Sequence, residues 1–99
     1  MKTEHGKLDS NLRLDYALSH HGMITGNIII EADGELYLHG MCCKDLMIKK
    51  GGKAFVYGTV IGNVLNDGGY LEVYGVINGY LRSVDGETEI DEKAIVKHS

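Results

Sequence analysis

The chain has 99 residues, with ten basic and fourteen acidic groups and a net charge of −4. That length makes one domain with a narrow core, and an acidic balance without a basic stripe argues against nucleic acid as a partner. Apolar residues form 43% of the chain, yet no apolar run approaches the ~20 residues of a membrane-spanning helix, so no membrane association is expected.

Met1-Lys-Thr-Glu-His at the start is not followed by an apolar signal-peptide core, so the cytoplasm is the expected compartment. Residues 1–21 carry Leu8, Leu12, Leu14 and Leu18 without an evident repeat, and they are expected to cap the open end of the first repeating coil. The repeat begins at residue 22. Gly22, Gly40, Gly58 and Gly75 open the phrases Gly22-Met-Ile-Thr-Gly-Asn-Ile, Gly40-Met-Cys-Cys-Lys-Asp-Leu, Gly58-Thr-Val-Ile-Gly-Asn-Val and Gly75-Val-Ile-Asn-Gly-Tyr-Leu. A fixed period of this size marks a solenoid, in which a coil hides its apolar side only by stacking on its neighbours. The predicted fold is all-β: a short single-domain β-helix of about four coils of 17–18 residues over 22–99, favoured as right-handed.

The phrases superimpose in columns. Ile24, Cys42, Val60 and Ile77 form one; Ile28, Leu46, Val64 and Leu81 the next; Leu36, Ala54 and Leu71 another; Leu38, Val56 and Val73 a fourth. Their alternation with polar positions predicts short strands with one buried face. A further column, Ile30, Ile48, Asn66 and Ser83, turns polar, and Asn66 is expected outside the core. Asn27, Asp45 and Asn63 align at one corner, where a side-chain ladder between coils is expected. Gly34, Gly51, Gly52, Gly68, Gly69 and Gly86 mark a second corner that calls for left-handed backbone angles. Lys49, Lys50 and Lys53 flank that corner as solvated charges.

Little reads as chemistry. Cys42 and Cys43 are adjacent, point to opposite faces of a strand and suit neither a disulfide nor a zinc site. His20 and His21 diverge for the same reason, and His5 and His98 lie near the termini, so no metal centre is expected. The acids of Asp85-Gly-Glu-Thr-Glu-Ile-Asp-Glu form a solvated row without a pocket. Asp9 and Ser10 join no triad, and no glycine-rich loop leads into a helix to hold phosphate. The expectation is a protein without catalytic residues or cofactor.

The column register places one set of side chains on a single outward face. It comprises Glu35, Tyr37 and His39, then Lys53, Phe55 and Tyr57, then Tyr70, Glu72 and Tyr74, and finally Glu87, Glu89 and Asp91, with Asp85 extending the acidic edge. Five of the seven aromatic residues fall on it. At ~4.8 Å between strands and ~6.8 Å between alternate residues, it tiles roughly 15 by 15 Å, the centre of an interface of about 800 Å² per partner. Tyrosines are common hot-spot residues, and an acidic edge steers a basic partner. The same face also suits an intramolecular ladder or contact with a second copy.

The phrases opened by Gly22 and Gly58 resemble the repeats of bactofilins, bacterial polymer-forming cytoskeletal proteins, over residues 22–84. The resemblance implies a β-solenoid that assembles end to end. Two readings result. One is a protein-binding module, most concretely an immunity-type protein neutralising a basic toxin or nuclease domain; the other is a bactofilin-like self-assembling protein.

Overall fold

The computed structural model describes residues 2–98, and it winds the alternating segments into successive three-sided coils. The first coil holds β1 (Lys2–Glu4), β2 (Lys7–Leu8) and β3 (Leu12–Leu14), and the second β4 (Ala17–His20), β5 (Met23–Ile24) and β6 (Ile28–Ile30). The third holds β7 (Glu35–Leu38), β8 (Met41–Cys42) and β9 (Leu46–Lys49). After β10 (Lys53–Val56) and β11 (Thr59–Val60), the long strands β12 (Val64–Val73) and β13 (Val76–Ile90) run round corners, and β14 (Ile95–His98) ends the series. Each strand pairs in parallel with its counterpart one coil away. The chain is thus a β-solenoid of about five turns. Among the described residues no helix is long and apolar enough to cross a membrane.

The segment expected as a cap outside the repeat is itself a coil. Leu8 pairs with Ile24, Leu12 with Ile28, and Leu14 with Ile30, each at the head of a core column. The 16-residue step from Gly6 to Gly22 and the charged residues of β1 hid this periodicity. Lys2 stands in register with buried Leu18, and Glu4 with buried His20. In the first described coil these two columns therefore carry an ion pair, Lys2 Nζ to Glu4 Oε1 at 3.4 Å.

The apolar columns fill the interior as alternation requires: Ile24, Ile28, Leu36, Leu38, Cys42, Ala54, Val56, Val60, Leu71 and Ile77 have no exposed surface. Full burial of a Leu, Ile or Val side chain contributes roughly 1.5–3 kcal/mol. Asn66, expected outside, is fully buried. Its amide nitrogen donates to Glu87 O at 2.8 Å and Thr88 Oγ1 at 3.0 Å, and its oxygen accepts from the Gly69 amide at 2.9 Å. Those bonds permit a polar side chain in the core. They also brace the bulge between Asp67 and Tyr70, where the coil loses one residue.

The glycines divide into two classes. At the second corner, left-handed angles occur at Gly51, Gly68 and Gly86, and at Asp33 with φ 69°. Gly34, Gly52 and Gly69 are not in that region and are needed for space: a Cβ on Gly69 would lie 2.7 Å from Gly52 O. The opening glycines also serve closeness. A Cβ on Gly22, Gly40, Gly58 or Gly75 would lie 1.7–1.9 Å from the carbonyl oxygen of the glycine one coil earlier. At the third corner the expected polar ladder is present and one rung longer. Asn27 N donates to Asn11 Oδ1 (2.8 Å), Asp45 N to Asn27 Oδ1 (3.0 Å), Asn63 N to Asp45 Oδ1 (2.8 Å), and Tyr80 N to Asn63 Oδ1 (2.8 Å).

Two substitutions test these constraints. Gly58→Ala is expected to destabilise by more than the ~1–3 kcal/mol usual for overpacking, because its new neighbour is backbone that cannot turn aside; urea titration measures the loss. Asp45→Ala removes one rung and is expected to cost about 1 kcal/mol, lowering the melting temperature by roughly 4–8 °C.

Candidate functional site

Parallel in-register pairing stacks identical positions at strand spacing, so the outward side chains form columns. Glu35, Lys53, Tyr70 and Glu87 make one, and Ser19, Tyr37, Phe55, Glu72 and Glu89 the next. The third lies just before each opening glycine. His21, His39, Tyr57, Tyr74 and Asp91 each donate their amide to the coil beneath, to Glu4, His20, Leu38, Val56 and Val73 respectively. The predicted face is therefore present as a surface, with Glu87, Glu89 and Asp91 on its acidic edge and Ile90 in the Val73 column. Asp85 lies elsewhere. It pairs with Asp67 across the bulge and lines a separate groove with Glu31, Lys49 and Lys50, because the bulge turns its strand before the face begins.

The rings stack rather than scatter. Tyr37 and Phe55 lie with centroids 4.8 Å apart and planes 6° apart, and Tyr57 on Tyr74 at 5.1 Å and 6°. Phe55 and Tyr70 meet at 6.0 Å and 56°, since Tyr70 belongs to the Lys53 column. The third column continues through residues that sequence reading separated: His5, His21, His39 and Tyr57 stack in turn at 4.8, 4.4 and 4.8 Å. The signal was a recurring dipeptide, a ring followed by the opening glycine, in His5-Gly6, His21-Gly22, His39-Gly40, Tyr57-Gly58 and Tyr74-Gly75. His20 diverges from His21 as expected. It is buried, and its Nδ1 accepts the Gly22 amide at 3.2 Å.

Glu72 links two rings on its own strand. Tyr70 and Tyr74 both donate their hydroxyls to its carboxylate, one to each oxygen. These bonds hold Glu72 below the usual carboxylate range and push both tyrosines up to about 12. Tyr37 donates likewise to Glu35 at 2.9 Å, and its pKa is raised for the same first reason. The tyrosines are therefore neutral donors at physiological pH and are held in fixed positions. Beside Tyr74 a shallow pocket of about 320 Å³ is lined by Glu72, Glu89, Ile90, Asp91 and Glu92, a setting that favours a cation.

The Cys42 thiol is pushed up to about 11, chiefly by burial, and faces backbone carbonyls of Lys44, Gly26 and Asp45. The fold and this face define a β-solenoid carrying an aromatic and acidic surface. In comparisons with known proteins, the chain matches no family model, no curated protein and no solved structure at a significant level.

The imidazole column makes stability depend on pH. Desolvation within the stack and repulsion from His39, His5 and His20 hold His21 below its ordinary value of 6.5. The folded state thus binds this proton less readily than the unfolded chain, so the contribution present above 6.5 is lost as pH falls from there through the lower folded value. In metal-free buffer the melting temperature is expected to fall over that window, and His21→Gln to flatten the dependence.

Proposed function

We propose that this protein is a non-enzymatic binding module whose aromatic and acidic face receives a basic protein partner. In its most concrete form it is an immunity-type protein that neutralises a basic toxin or nuclease domain. The observation that carries the reading is the Tyr70–Glu72–Tyr74 arrangement beside the acidic pocket. Rings and carboxylates already held in place lose little side-chain freedom on binding. Tyr57 is 44% exposed and Tyr74 40%, so large ring surfaces remain available to a partner. The carboxylates of Glu87, Glu89 and Asp91 would draw a positively charged surface to that edge.

The alternative is a self-assembling, bactofilin-like structural protein. It draws support from exposed apolar side chains in the last strands, Ile90 at 49% and Ile95 at 54%. The opposite end weighs against head-to-tail stacking. A coil laid on β1 would bury Lys2 and Glu4 in two core columns, and burying a charge costs several kcal/mol even in a pair. Binding through the face is therefore the preferred reading.

Light scattering on size-separated protein across a concentration series separates the two. The binding module is expected as one discrete species, whereas assemblies that lengthen with concentration would reject it. Tyr57→Ala with Tyr74→Ala, and separately Glu87→Lys with Glu89→Lys, are expected to leave sheet circular dichroism intact. Each pair should weaken capture of a basic polypeptide at least tenfold. Undiminished capture in both variants would remove the face from consideration.

A further inference from the structure

The imidazoles of His5, His21 and His39 stand in one exposed column on successive coils, with centroids 4.8 and 4.4 Å apart. We propose that this column binds a first-row divalent transition metal of the zinc, nickel or copper(II) class through ring nitrogens contributed by consecutive coils. Neutral imidazole suits these ions, and neighbouring imidazoles on one line of a sheet offer ligands from consecutive coils without folding a loop around the ion.

Closing the site requires the rings to turn out of their stack. A tetrahedral ion with metal–nitrogen bonds of about 2.0–2.1 Å requires its nitrogens about 3.4 Å apart. His21 and His39 lie parallel, 1° apart in plane and 4.4 Å between centroids, so both rings must also turn about their side-chain bonds until their in-plane lone pairs point at one ion. In the stacked arrangement the nitrogens do not converge, and among the described residues no group of three or more His, Cys, Asp or Glu side chains is placed to hold a metal ion. The site therefore closes on binding, with the rings leaving their parallel stack.

A neighbouring hydroxyl supports the assignment. Ser19 Oγ lies 3.2 Å from His21 Nε2, a polar partner of the kind that holds a ligand imidazole in one tautomer and orientation. In the tautomer whose Nε2–H donates to Ser19, Nδ1 is left free for the metal. Tyr57, stacked on His39 at 4.8 Å, closes the column with a ring that carries no nitrogen. His21 and His39 with waters then complete a tetrahedral set, and His5 stands one coil further from His39 on the far side of His21. His20 and His98 stand outside the column, the first buried in the core and the second against Tyr80. The site shares His39 with the proposed docking face and does not depend on a protein partner.

Calorimetric titration of the full chain with zinc chloride, and separately nickel chloride, at mildly alkaline pH tests this. One saturable site is expected, weakened at least about tenfold by His21→Ala and by His39→Ala and unaffected by His98→Ala. Sheet circular dichroism checks that each variant is folded, and His21→Gln replaces His21→Ala if that variant is not. Tyr57→His extends the column by one imidazole and is expected to tighten binding. Copper(II) paramagnetic resonance should show superhyperfine structure from several imidazole nitrogens, reduced in His21→Ala. Absence of saturable binding, or binding that survives His21→Ala combined with His39→Ala, overturns the proposal.

Discussion

Everything in this molecule depends on how closely its coils approach at the opening glycines. Gly6, Gly22, Gly40, Gly58 and Gly75 stand one above another. At each of the last four, the space a Cβ would need is already held by a carbonyl oxygen 1.7–1.9 Å away. Of the five, only Gly6 has a positive φ, so the requirement at the other four is contact distance and not backbone freedom. Because the coils meet here, the strands either side run parallel and in register. The apolar columns close, the corner oxygens of Asn11, Asn27, Asp45 and Asn63 reach the amides above them, and the outward rings fall face to face. The surface that carries the proposed functions is thus a by-product of backbone packing at one edge.

The fold was largely legible because glycine spacing and apolar alternation report the same period. The columns headed by Ile24, Ile28, Leu36 and Leu38 could be read directly, and all are buried. The first coil was not legible, for a physical reason. In that coil the positions in register with core residues are charged, Lys2 and Glu4 occupying columns that Leu18 and His20 continue. Asn66 misled in the opposite direction: its polarity suggested the surface, but its partners lie on residues 87 and 88, which only the bulge brings close.

The face itself was readable to the level of which residues share it, since alternation fixes side and period fixes neighbours. Its chemistry was less so. The two hydroxyls converging on Glu72 depend on side-chain rotamers within one strand, and Asp85 left the face because a backbone irregularity precedes it. The histidine column was visible in principle as a ring-glycine dipeptide. It was obscured because the ring changes from histidine to tyrosine midway and because the first step is 16 residues long.

The contrast between whole coils and single residues has a consequence for how such a surface can change. Duplicating the segment from Gly40 to Tyr57 would insert one full turn with every column preserved, lengthening the face by about 4.8 Å. Loss of that segment would shorten it by the same step. A single-residue change has no such neutrality, and the 17-residue coil between Gly58 and Gly75 is tolerated only with a bulge at Asp67–Tyr70 and a buried asparagine bracing it. The reach of this surface is therefore quantised in strand spacings, so a lineage could fit it to partners of different length by copying turns without redesigning the interior.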